Sequence, residues 1–232
     1  MKRAIAVVLI LITLCSCSAL RNEASVENFL GESVIADHGK DHPASESFVR
    51  IINLLTDDST ELMPFSDPKT VSALYRDRIL SYLVSTGYSK YTGNTAKITE
   101  AEKKYPKMRI SVLVPYSDYE YTVYSSFGGG KSVSHTDGTV FTNLSRVDGY
   151  TAVGQVKASG AEVEITGVKE TDNTYIVSFY TVFRGNYSPL YRGIFVKRND
   201  GTVYLGKLER IADNKITVPK GAEIRNDENE EN

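Results

Sequence analysis

The chain of 232 residues has no tryptophan, three histidines and two cysteines, and both cysteines lie within the first seventeen positions. The body therefore has no disulfide framework and no thiol nucleophile. A basic excess is also missing, because 27 Lys and Arg face 29 Asp and Glu for a formal net charge of −2. That balance argues against nucleic acid as a partner, since such binders carry a strongly positive surface. Gly-x-Ser-x-Gly does not occur, so a serine triad using His135, the one histidine beyond residue 43, is not expected. No internal repeat is visible, and no βαβ alternation supports a doubly wound nucleotide-binding fold. What is present is 41% hydrophobic and 24% charged, the make-up of one globular domain with appendages.

One uninterrupted apolar run stands out. Lys2 and Arg3 precede Ala4 to Leu14, 11 residues rich in Ile, Leu and Val. That is the length of a signal-peptide core and too short for a membrane-spanning helix. The run closes on Leu14-Cys15-Ser16-Cys17. This resembles the lipobox of bacterial lipoproteins, with Leu at −3, a small residue at −1 and Cys at +1. Cys17 fits the acceptor position because Ser16 is small, whereas Cys15 follows Leu14. The resemblance implies cleavage after Ser16 and a diacylglycerol thioether on Cys17. It also implies residence at the outer face of the bacterial cytoplasmic membrane, held by the lipid anchor. Two acyl chains suffice for stable anchoring. Loss of Lys2 and Arg3 leaves 25 basic and 29 acidic residues.

The chain is expected to divide into four parts. Residues 1–16 are the signal peptide. Residues 17–43 are polar and mixed, and they read as the lipidated cysteine and a flexible tether. Residues 44–218 form the domain, and 219–232, which end in Asn-Asp-Glu-Asn-Glu-Glu-Asn, read as a disordered acidic tail.

Within the domain the apolar period is 3.6 at first. Phe48, Val49, Ile51, Ile52, Leu54 and Leu55 predict a helix over 45–55, capped by Ser45. Asp67-Pro68 predicts the start of a second, with Val71, Leu74, Tyr75, Ile79, Tyr82 and Leu83 on its face and Gly87 at its end. A third, short helix is expected over Ile98–Tyr105. After Pro106 the reading turns to period two, with strands over 108–114, 119–126, 140–144, 150–157, 162–170, 174–184, 191–198 and 203–211. Asp172-Asn173 and Asn199-Asp200-Gly201 supply turns. The expected fold is α+β, N-terminal helices packed on a curved, mostly antiparallel sheet ending in a three-strand meander. In element order this is similar to the cone-shaped nuclear-transport-factor-like domains, a fold type that hosts enzymes and binders alike.

Several patterns invite chemistry and fall short of it. Phe127-Gly-Gly-Gly-Lys131-Ser132 has Ser125 where a phosphate-binding loop needs glycine, so a flexible glycine loop is the better reading. Ser66-Asp-Pro-Lys69 matches the Ser-x-x-Lys of penicillin-recognising enzymes without their companion motifs, and a helix cap explains it. His38 and His42 have metal-ligand spacing, but Gly39 and Pro43 oppose a helix and no third ligand is evident, so they read as solvated linker. Asp118 with Glu120, or Glu162 with Glu164, would share a strand face and could pair as in glycoside hydrolysis, but a solvated strand face is the favoured reading. The unusual feature is aromatic: Tyr116, Tyr119, Tyr121, Tyr124 and Phe127 crowd ahead of the glycines. Tyr119, Tyr121, Tyr124 and Phe127, with Lys131, are the ligand-binding candidates, a platform for sugar rings or peptide. No catalytic residue, metal or cofactor is assigned. The expected function is a non-catalytic, membrane-anchored module that binds a cell-wall component or envelope protein. The alternatives are a carboxylate hydrolase of envelope glycan or peptide, and an inhibitor of a cell-wall hydrolase that projects residues 128–134.

Overall fold

A computed structural model describes residues 31–59, 61–129 and 133–211. Cys17 and the lipobox, Lys131 and the acidic tail lie outside the described residues. Helices come first and antiparallel sheet follows, so the α+β class expected from the sequence holds.

Helix α1 (Ser45–Asn53) buries Phe48, Ile51 and Ile52. Ser45 is its first residue rather than its cap: Ala44 holds the N-cap position and no side chain closes that end. At the second predicted start the Asp67 side chain accepts the Lys69 N–H at 2.9 Å and Pro68 opens the turn, as anticipated. The turn is 3-10 over Pro68–Thr70 and leads into α2 (Val71–Leu74) and α3 (Arg76–Thr86), which meet at Tyr75. Tyr75 is fully buried, and its hydroxyl donates to the Met63 carbonyl at 2.6 Å. Leu74 falls outside the core face and is 42% exposed. Gly87 ends α3, its N–H bonded to the Leu83 carbonyl at 2.9 Å. Two short helices follow, α4 (Tyr88–Thr92) and α5 (Thr95–Lys104), the second capped by the Asn94 side chain.

The segment expected as a strand over 119–126 is helical. Helix α6 runs Tyr116–Phe127, with Pro115 as N-cap, Asp118 in its first turn, and Gly128 at its C-cap with φ 68°. The buried positions Tyr119, Val123, Ser126 and Phe127 recur at three and four residues, the spacing of one helix face. The strand expected over 108–114 shrinks to β2 (Val114–Pro115).

Two sheets follow, antiparallel throughout. The smaller one pairs β2 with β4 (Gly149–Ala152), and β4 with β3 (Phe141–Leu144). The larger contains β1 (Ala36–Asp37), β5 (Glu162–Glu170), β6 (Thr174–Phe183), β7 (Asn186–Tyr187), β8 (Tyr191–Lys197) and β9 (Val203–Arg210). Its order is β1-β5-β6-β8-β9, with β7 paired to β6, so the expected meander of three strands is preceded by a fourth, β5. Register shifts at Ile165/Gly167 and Ile194/Phe195 mark bulges. Such bulges bend a strand and sharpen its twist. One face of this sheet offers Val168, Val177, Phe179, Tyr191, Phe195, Leu205 and Leu208, and the helices contribute Phe48, Ile52, Tyr75, Ile79 and Phe127 to the same core.

The boundary expected at Ala44 lies too late. Ala36 and Asp37 pair with Glu170 and Lys169 on the free edge of β5, flanked by Ile35 N–H to Glu170 O at 2.8 Å and His38 N–H to Val168 O at 2.9 Å. The described part of the segment read as tether, residues 31–43, therefore begins to pack on the sheet well ahead of α1. Its short apolar stretch Val34-Ile35-Ala36 finds an unpaired strand edge, which supplies the hydrogen bonds that an isolated linker would take from water.

Candidate functional site

The helical α6 redistributes the aromatic candidates. Tyr119 and Phe127 are fully buried: the Tyr119 hydroxyl donates to the Ser72 carbonyl at 2.7 Å, and Phe127 sits edge-on to Phe65. Burial pushes the Tyr119 hydroxyl far above its usual ionisation range, so it stays a donor. Tyr121 and Tyr124, which a strand would place on opposite faces, are three residues apart on one helix face and remain 72% and 44% exposed. The Arg198 guanidinium lies 5.5 Å from the Tyr124 ring and donates to the carbonyls of Tyr124 and Ser125, fixing the end of the helix. The platform of four aromatics is therefore reduced to two.

The helix also separates Asp118 from Glu120 by about 200° of rotation, so the expected pair does not form. Asp118 turns to Lys90 at 2.6 Å, and Glu120 to His135 at 2.8 Å. Glu162 and Glu164 remain on the exposed face of β5. At the Ser66-x-x-Lys69 motif both Ser66 and Lys69 are exposed, and Asp67 serves as the cap.

Beyond the glycines the chain is held firmly at His135. Its ring stacks on Tyr116 at 3.7 Å, its Nδ1 meets the Tyr150 hydroxyl at 2.8 Å, and its Nε2 meets the Glu120 carboxylate at 2.8 Å. With Glu120 accepting from Nε2, Nδ1 is the acceptor and Tyr150 the donor. Burial raises the Tyr150 ionisation further above its usual range, so its hydroxyl stays protonated, and the three side chains together clamp the segment. Arg76 reaches the same segment, bonding the Thr136 hydroxyl and the Asp137 carbonyl. The start of the glycine loop is seated too, because a Cβ on Gly129 would lie 3.4 Å from the Pro68–Lys69 backbone. His135 was visible in the sequence only as a lone histidine; none of its partners is a sequence neighbour.

A cleft of about 560 Å³ opens between the turn after α1, helix α3, the approach to β3 and the loop after β4. Hydroxyl and amide groups of Thr56, Ser59, Ser81, Tyr82, Gln155 and Ser159 line its rim beside charged side chains, Lys157 and three aspartates among them. Of the three carboxylates that line it, Asp58 is exposed and two are engaged. Asp57 accepts from Arg78 Nε at 2.8 Å and from the Ser59 N–H at 2.8 Å, and Asp77 accepts from four donors over Thr139–Phe141. A general acid or base needs a carboxylate free to exchange a proton with substrate, and these two are committed to the protein. None of the cleft residues was a site candidate in the sequence, where Leu74 and Tyr82 read as a helix's apolar face, because the cleft is assembled from four segments that only the fold brings together.

Among the described residues, no helix is long and apolar enough to cross a membrane. No family model matches the chain, and no curated protein and no solved structure is similar to it.

Proposed function

We propose that this chain is a lipid-anchored extracytoplasmic binding module whose cleft holds a hydroxyl-rich ligand, an envelope glycan or peptide. The observation that carries the reading is the cleft itself. It has the size of a small-ligand site, its rim carries hydroxyl and amide groups beside the charged Asp58 and Lys157, and Asp57 and Asp77 are already bonded within the protein. A polar rim suits many short hydrogen bonds to sugar hydroxyls or peptide amides. With Asp57 and Asp77 engaged, Asp58 alone remains, and carboxylate hydrolysis needs a pair, which favours binding over hydrolysis. Anchoring rests on the Leu14-Cys15-Ser16-Cys17 pattern, and two acyl chains would keep the domain at the membrane surface. Tyr121 and Tyr124 offer a second, smaller contact surface.

Sedimentation of the chain from Ser18 with purified cell-wall sacculi tests the reading. Ala158→Trp, which fills the cleft, is expected to abolish co-sedimentation, while Tyr121→Ala/Tyr124→Ala keeps it. Binding lost only in the tyrosine variant would move the site to α6, and no binding by the parent chain would reject a wall ligand. In the intact protein, Cys17→Ala is expected to shift the chain from the membrane to the soluble fraction, and continued retention would reject lipidation at that residue.

A further inference from the structure

His38, His42 and Glu170 come together where the N-terminal segment meets the sheet. One ligand atom from each lies within 4.8 Å of the others, and all three residues are half-buried. The helix that the His-x-x-x-His spacing would need is absent. Instead, the turn after β1 folds both imidazoles onto the end of β5, and Glu170 supplies the third ligand from 132 residues away.

We propose that His38, His42 and Glu170 bind one divalent cation of the zinc class, with a water molecule as fourth ligand, and that the ion fastens the N-terminal segment to the sheet. Two imidazoles and a carboxylate are a donor set that zinc-class ions favour over magnesium or calcium, which prefer all-oxygen surroundings. His38 Nε2 already lies 2.7 Å from Glu170 Oε2, slightly closer than two ligands of one tetrahedral ion, so a small opening admits the metal. His42 sits against Phe48 at 5.9 Å and Tyr175 at 4.9 Å, which restricts its ring. Glu170 Oε1 takes Lys197 Nζ at 2.6 Å, leaving Oε2 for the ion and fixing the carboxylate as outer partners of metal ligands do. The Lys197 charge opposes a cation, which sets a moderate rather than a tight affinity.

The geometry fixes one further consequence. His42 Nδ1 accepts the Ala44 N–H at 3.0 Å. A neutral imidazole that ligates through one nitrogen carries its proton on the other, so it has no lone pair left for Ala44. Whichever nitrogen binds the ion, the Ala44 N–H must pass to water.

The test uses the detergent-solubilised full chain, purified without a histidine tag and titrated with Co²⁺ and then Zn²⁺. The expected result is one Co²⁺ per chain with the intense visible bands of tetrahedral coordination, displaced by Zn²⁺. At zinc a hundredfold above Kd, the melting temperature should rise by about 5–10 °C. His38→Gln, His42→Gln and Glu170→Gln should each lose the bands, whereas His135→Gln keeps them. On zinc addition the Ala44 amide should lose its hydrogen-exchange protection in the parent chain, a readout that needs no folded variant. Absence of saturable Co²⁺ binding by the parent chain, or binding unchanged in His38→Gln and His42→Gln, overturns the proposal.

Discussion

Asp77 shows how much of the cleft wall rests on one side chain. Its Oδ2 accepts from the Thr139 N–H at 2.7 Å, the Thr139 hydroxyl at 2.8 Å and the Val140 N–H at 3.0 Å. Gly138 stands directly against it: a Cβ there would fall 2.0 Å from Asp77 Oδ1. Asp77→Ala strands several donors and is expected to cost about 2 kcal/mol, read by urea denaturation. Gly138→Ala should cost a similar amount by expelling the same carboxylate. The double variant should lose much less than the sum, because both changes break one contact. Strict additivity would show that the two residues act separately. Nothing in the sequence marks this pair, since Asp77 looks like any exposed helical acid and Gly138 like any turn residue.

At the scale of elements, legibility followed how many local signals agreed. The strands over 162–170, 174–184, 191–198 and 203–211 carried alternation, β-branched residues and turn chemistry together, and each lies within a residue or so of its expected bounds. Asp67-Pro68 and Gly87 likewise sit where capping physics puts them. Helix α6 was misread because tyrosine, valine and threonine favour strands on propensity, and Pro115 caps without a side-chain hydrogen bond to advertise the start. The energetics distinguish the two readings. Tyr119→Ala should cost about 3 kcal/mol, since it empties a buried site and leaves the Ser72 carbonyl unpaired. Tyr121→Ala should change stability by less than about 0.5 kcal/mol. A strand with both rings on one face would give comparable losses, so thermal unfolding of the two variants decides between them.

For the molecule as a whole, the domain boundary matters more than any single contact. A chain that begins at Ala44 loses the β1 pairing, the His38–Glu170 contact and the Glu32 carboxylate, which accepts from the Thr171 hydroxyl at 2.6 Å. It is expected to be about 2 kcal/mol less stable than a chain that begins at Gly31. Equal denaturation midpoints would return residues 31–43 to the role of a plain spacer. This docking was hard to read because Val34-Ile35-Ala36 is a short apolar stretch in an otherwise polar segment and its partner edge is formed more than a hundred residues later.

The two rims of the large sheet have a consequence of their own. At one, β1 occupies the Lys169–Glu170 end of β5, while Glu162 and Glu164 keep charge along the rest of the rim and the Ile165/Gly167 bulge twists it. At the other, Phe65 exchanges both backbone hydrogen bonds with Leu208 in the middle of β9's outer side. Crowded copies of a sheet protein tend to zip together along such rims and grow into fibrils. Here each new copy would first have to break bonds the fold already makes or set like charges side by side, which opposes edge-to-edge growth.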